Sequence, residues 1–358
     1  MHLRVSTCVV MTALGLFALG VAPARSEEPK KKVPATATPE LARKAAKRGL
    51  AFLEQDAAKW RKERKCATCH HGTMTAWALS EAKSQGYAVA AETVADVVKW
   101  TKERLNGVDK PRDTRAGWTM VSTPAVYLAV MAQTVPKQDA ITAEELKHIA
   151  GHLMRHQEKD GAWAWSPAPA KNRPPPVFES DEVVTLLAYL ALEPHVPADP
   201  KAKSAAGVSR EQAAAWLAKN KPGDDTQAAL LRLLRDVRAG KPPKEVEAGI
   251  GQLLSRQHPD GGWGQYHNLP SDAYATGQAL YFLSLAGVQD GRAEIQRAVS
   301  FLVAKQKEDG SWPMTSRAHP GEKPFTNPVP ITHFGSAWAT LGLMRSVPNK
   351  DTSASRIK

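Results

Sequence analysis

"QHPDGGW", residues 257–263, sets a glutamine and a tryptophan six positions apart around an Asp-Gly turn. The chain repeats it as "QEKDGAW" at 157–163 and "QKEDGSW" at 306–312. A helical stretch precedes each glutamine ("AGHLMRH", "GIGQLLSR", "AVSFLVAK"), and a second follows after a loop ("SDEVVTLLAYLAL", "SDAYATGQALYFLSLAG", "ITHFGSAWATLGLM"). Self-similarity of this kind is the signature of a repeat architecture, and each repeat reads as one helical hairpin.

Aligning the second helices extends the pattern. "TAWAL", "TPAVYL", "TLLAYL", "TQAALL", "TGQALY" and "SAWATL" superpose a hydroxyl residue: Thr75, Thr123, Thr185, Thr226, Thr276 and Ser336. The intervals of 48, 62, 41, 50 and 60 residues are unequal, as expected when helices are fixed units and loops absorb insertions. Six hairpins predict an all-α fold over 40–346, with an inner and an outer layer of helices. Closure into a ring is expected because neither terminal hairpin reads as a polar cap.

The QxxDGxW repeat resembles the QW motif of the prenyltransferase and squalene-cyclase repeat superfamily, strongly in three hairpins and faintly in the others. That resemblance implies an α/α toroid (α6/α6 barrel) in which Gln157, Trp163, Gln257, Trp263, Gln306 and Trp312 brace turns between helices. It also implies chemistry to look for. Class II triterpene cyclases protonate an alkene with a DxDD cluster, and the nearest run here is "PGDDTQAALL", with Pro222 and Gly223 ahead of Asp224 and Asp225. These two aspartates are the candidate catalytic residues. The first acid is missing, and capping of a helix N-terminus is the plain alternative. Protein prenyltransferases hold zinc with an Asp, a Cys and a His; in the equivalent run "YATGQ", Gly277 stands near where the thiolate would be, so that pattern is broken. Asp181 and Asp272, each four residues before the repeat hydroxyl, are expected to cap helices.

The N-terminus has a short basic start, an apolar run and "APA" ending at Ala24, which reads as a secretory signal peptide over 1–24. A Pro/Lys-rich leader over 25–39 and a disordered tail over 347–358 complete the expected organisation. The protein is therefore expected to be exported, periplasmic or secreted. Cleavage would remove Cys8 and leave Cys66 and Cys69, so a long-range disulfide framework is excluded.

Those two cysteines lie in "KCATCHHGTMTAW", residues 65–77, where the other hairpins keep their turn. Three readings apply: covalent haem c, a dithiol or disulfide, and a zinc half-site that needs two further ligands. Haem c is preferred, with Cys66 and Cys69 taking the vinyl groups and His70 as proximal iron ligand. Ring closure would make hairpins one and six neighbours, which singles out His333 as the distal ligand. Met74, Met120, His148, His152 and His156 are rivals, as is a five-coordinate iron, while His71 is expected to hydrogen-bond a propionate or cap the helix. Two proline-rich insertions, after Trp165 and after Trp312, are expected to wall the same mouth.

The formal charge is +12, spread over many helix faces. It suits acidic partners, such as a redox partner protein or an anionic membrane surface. No nucleic-acid motif is present. The expected function is an exported c-type haem protein on an α/α toroid, serving electron transfer or haem-dependent redox chemistry. The alternative is a terpenoid cyclase-like enzyme, or a binder of a hydrophobic small molecule at the toroid mouth, with a structural CxxCH.

Overall fold

As a computed structural model, the protein is described over residues 36–64, 70–103, 115–136, 140–164, 179–199, 201–317 and 328–347, the side chains of 115–123, 328 and 330 excepted. The signal peptide, residues 25–35 of the leader and residues 348–358 of the tail fall outside these residues, as do Cys66, Cys69 and most of the two proline-rich insertions. Among the described residues twelve α-helices follow one another: α1 (Pro39–Arg64), α2 (His71–Ser84), α3 (Ala91–Lys102), α4 (Arg115–Thr134), α5 (Ala143–Arg155), α6 (Asp181–Ala191), α7 (Ala205–Lys219), α8 (Thr226–Arg238), α9 (Pro243–Ser255), α10 (Ala273–Leu285), α11 (Ala293–Lys305) and α12 (Pro328–Ser346). Among the described residues there is no strand, only an isolated bridge between Asp225 and Tyr266.

Burial divides the helices into two layers. Every residue of α10 from Ala273 to Leu283 and every residue of α2 from His71 to Ala82 is buried, the mark of a helix enclosed on all sides. In contrast, α9 buries only Ile250, Leu253 and Leu254, and α7 only Ala206, Ser209 and Ala213. The even-numbered helices form the inner ring, each touching the next, and α12 returns to both α1 and α2. The ring is closed.

The repeated turns explain how. Trp163, Trp263 and Trp312 are buried, and their indole N–H groups donate to the carbonyls of Leu153, Leu253 and Leu302 at 2.8, 2.9 and 2.7 Å. The glutamines bind their own turn and then the next outer helix. Gln157 Nε2 donates to the Ser209 carbonyl at 2.8 Å, Gln257 to that of Glu294 at 2.7 Å, and Gln306 to that of Ala45 at 2.9 Å. The last of these spans 261 residues and locks hairpin six onto α1. Gly261 and Gly310 both have φ of +89°, and a Cβ there would lie 2.6 and 2.5 Å from the backbone carbonyl oxygens of Arg297 and Arg48. Only glycine meets both demands.

The repeat hydroxyls serve the same turns: Thr185, Thr276 and Ser336 accept from the backbone N–H of Trp163, Trp263 and Trp312 at 3.0, 2.9 and 2.9 Å. Asp272 caps α10 as expected, its side chain accepting from Ala275 N. Asp181 does not cap α6. Ser180 takes that position and Asp181 begins the first turn, where a carboxylate still suits the helix dipole. Gly277 has a packing role, since a Cβ there would stand 2.2 Å from the backbone of Trp338, and α10 and α12 touch at this point.

Candidate functional site at the ring seam and rim

Each hairpin runs outer helix first and inner helix second, so the N-termini of the inner helices share one rim. The centre of the ring is filled by aromatic side chains. Trp338 lies 5.3 Å from Trp77, 5.9 Å from Tyr281 and 6.5 Å from Tyr274 between ring centroids, and Phe334 lies 5.1 Å from Tyr274 and 6.3 Å from Tyr127. Towards the other end, buried Glu81 pairs with Arg345 and accepts from its Nη2 at 2.8 Å, and Arg345 also donates to the Thr134 carbonyl. Chemistry must therefore be sought at the rim, where two buried polar groups of residues lie.

The first sits on the seam between hairpins one and six. Helix α2 begins at His71, and α1 and α12 pack beside it. His71 and His333 are completely buried with their rings stacked at 3.9 Å, and Trp60 stacks on the other face of His71 at 4.2 Å. Asp56 Oδ2 lies 3.0 Å from His71 Nε2 and 2.8 Å from His333 Nδ1. His333 Nε2 is 3.0 Å from Thr75 Oγ1, and His71 Nδ1 meets Nδ1 of His70 in a short hydrogen bond. Burial would raise the Asp56 carboxyl, but the hydrogen bonds from His333 and His71 hold it well below the usual carboxylate range. Burial pushes His71 down to about 3, with Asp56 opposing, and lowers His70 and His333 as well.

The second group spans the heads of α6, α8 and α10. Glu179 is buried and accepts from Tyr127 Oη–H in a short bond, while Tyr274 Oη donates to Gln227 Oε1 at 3.0 Å. Burial raises the Glu179 carboxyl despite the bond from Tyr127 and the charge of Arg317. Burial likewise lifts Asp272 to about 6, against hydrogen bonds from Ala275 N and Gln265 Nε2. Arg317 is buried beside these acids, with its guanidinium over the Tyr266 ring.

The aspartates expected to act as acids are placed otherwise. The Asp224 side chain is 70% exposed and pairs with Arg256 at 3.4 Å. Asp225 caps α8, accepting from Ala228 N at 2.7 Å and from Ser180 Oγ at 3.3 Å. Capping thus accounts for Asp225, and a surface ion pair for Asp224. His333 does meet the histidines of hairpin one across the seam. Its ring is stacked on His71, with Nδ1 at Asp56 and Nε2 at Thr75. Met74 is core, and His148, His152 and His156 lie on or just after α5, which packs on α4 and α7. The side chain of Met120 lies outside the described residues. Asp56, Trp60, Glu179, Tyr127 and Arg317 carried no sequence signal, because their partners are brought together only by ring closure.

The closed double ring of helices with braced turns defines an α/α toroid. Its C-terminal part, residues 214–357, matches the squalene-hopene cyclase C-terminal domain family. The squalene–hopene cyclase of Bradyrhizobium diazoefficiens is 29% identical over 124 residues, covering 34% of this chain and 19% of that protein. The sporulenol synthase of Bacillus subtilis is 34% identical over 110 residues, covering 25% of this chain and 17% of that protein. The match thus spans about a fifth of these relatives' length. Among solved structures, the type II terpene cyclase MstE from Scytonema, in complex with geranylgeranyl dihydroxybenzoate, has a TM-score of 0.51 at 15% identity, covering 87% of this chain and 98% of that one. UGL with dGlcA-Glc-Rha-Glc has a TM-score of 0.54 at 14% identity, covering 86% and 96%. At such identities the likeness establishes the fold, and a fold shared by proteins with such different ligands does not select a chemistry.

Proposed function

We propose that the protein is a cyclase-related toroid that binds a hydrophobic ligand of the isoprenoid class at the rim of the inner helices. The observation that carries this reading is Glu179: a buried carboxyl, raised by its surroundings and bonded to Tyr127, above a floor of Tyr127, Tyr274 and Phe334. An apolar aromatic floor with one or two convergent polar groups is the usual form of a small-molecule site. A carboxyl that burial shifts towards its protonated form is suited to deliver a proton. Glu179 is thus the proton donor of this reading, and Asp224 is not. Titration of the full chain with squalene or geranylgeraniol, followed by tryptophan fluorescence and product analysis, tests it. Saturable binding is expected, kept in Asp224→Asn, with conversion to cyclised product lost in Glu179→Gln. Absence of saturable binding by the folded protein would refute it.

A second reading is favoured by His70. It follows Cys69 directly, is buried, and gives its Nδ1 to His71, the ring position that a metal-ligating histidine gives to a supporting partner. Cys66 and Cys69 would hold haem c and His70 its iron, supplying one-electron transfer in an exported protein with an acidic redox partner. His333 has no part in this reading. A Soret band that survives denaturation in the wild type and is absent from Cys66→Ala is its expected result; equal spectra for the two would contradict it.

A further inference from the structure

We propose that Asp56, His71 and His333 form a binding site for one divalent first-row transition ion of the zinc class, held by Asp56 Oδ2, His71 Nε2 and His333 Nδ1. It is distinct from the Glu179 rim and needs neither cysteine.

The three donors come from α1, α2 and α12, up to 277 residues apart, and their ligand atoms all lie within 4.8 Å of one another. Two imidazoles and a carboxylate are the donor types of open, three-ligand zinc and iron sites. The supporting contacts have the form such sites need, because each histidine turns one nitrogen to Asp56 and the other to a partner: His71 Nδ1 to His70, His333 Nε2 to Thr75. Outer partners of this kind fix ring orientation and tautomer. Trp60 stacked on His71, which is stacked on His333, holds both rings in register. The Asp56 side chain is 17% exposed, which leaves a route for an ion from solvent.

Two further observations point from structure to ligand. Thr75 occupies the repeat position at which Thr185, Thr276 and Ser336 accept from a turn tryptophan. Hairpin one has no such tryptophan, and its hydroxyl has moved to His333. The brace has been exchanged for a histidine support. Asp56, for its part, has only these two imidazoles as ion-pair partners among the described residues, and a cation bound between the three would give its carboxylate a full positive partner. The present separations of 2.8 and 3.0 Å from Oδ2 need to open only to roughly 3.3 Å, the spacing of tetrahedral ligands on bonds of about 2.0 Å. On binding, the two inward nitrogens give up their protons and the outward ones carry them, so that His333 Nε2–H donates to Thr75 and His71 Nδ1–H to His70, whose own ring proton then sits on Nε2.

The full chain, stripped with chelator, is titrated with Co²⁺ and then Zn²⁺. One equivalent of cobalt should bind with visible ligand-field bands and no near-ultraviolet thiolate charge-transfer band, and zinc should displace it. Cys66→Ala/Cys69→Ala should bind as the wild type does. Thr75→Val should weaken binding by the roughly 10–100-fold that loss of an outer partner costs, and Asp56→Asn and His333→Gln by more. If a ligand variant does not fold, the wild-type cobalt spectrum and Thr75→Val still decide. No stoichiometric cobalt on the folded wild type, a thiolate band, or unchanged affinity in Thr75→Val would each overturn the site. Failure of isoprenoid binding leaves it untouched.

Discussion

One hydroxyl per hairpin shows how single residues are used. Thr276 accepts the Trp263 N–H deep inside the wall, so Thr276→Val leaves a buried donor unmet, at a cost of about 1–3 kcal/mol. Urea denaturation should show that loss, and Thr276→Ser should recover most of it; equal stability of valine and threonine would contradict the brace. At the seam, the fold keeps His71 neutral down to about pH 3, whereas a histidine in the unfolded chain takes its proton near about 6.5. Between those values the unfolded state binds more protons, so metal-free protein should lose stability as pH falls through this window. His333, lowered in the same way, adds to the effect. The melting temperature of His333→Gln should therefore fall less steeply from pH 7 to 4 than that of the wild type, and parallel curves would contradict this. The hydroxyl column was legible because it repeats. Asp56 was not, since an aspartate four residues before a tryptophan on a charged helix looks like any solvated face until α12 closes over it.

The helices take their places through glycine where backbones must approach. Gly310 combines φ of +89° with a contact that would set a Cβ 2.5 Å from the Arg48 carbonyl oxygen. Gly310→Ala is expected to cost more than the 1 kcal/mol or so of a left-handed backbone alone and to loosen α1. Amide exchange should rise along α1 first; uniform protection would argue against a localised closing contact. Gly277 permits the close crossing of α10 and α12, so Gly277→Val should be among the most destabilising single changes in the chain. Hairpins with the full QxxDGxW turn could be read from sequence, because the glycine, glutamine and tryptophan each answer one backbone need. The boundary at α6 could not, because Ser180 and Asp181 are both good caps and only the local φ and ψ choose between them.

At the scale of the whole molecule, the ring is closed by Gln306 on Ala45 and its centre is packed with aromatic rings. Glu81 and Arg345 form a buried ion pair towards the end away from the rim. Glu81→Ala strands the Arg345 charge and should destabilise the protein by about 3–5 kcal/mol, which chemical denaturation would read directly. Surface grooves do exist elsewhere, such as one of about 640 Å³ along α3 lined by Val94, Val98 and Lys99. Its charged lining, Lys83, Lys99, Lys102 and Glu103, includes none of the buried acids of the rim. On the function proposed, the plugged toroid receives an isoprenoid ligand at that rim, beside Glu179. Photolabelling of the full chain with a diazirine-bearing polyprenol, mapped by mass spectrometry, tests it most directly: label is expected at the heads of α6, α8 and α10 and on residues 313–317, and label confined to the α3 groove, or none competed by unlabelled polyprenol, would contradict it.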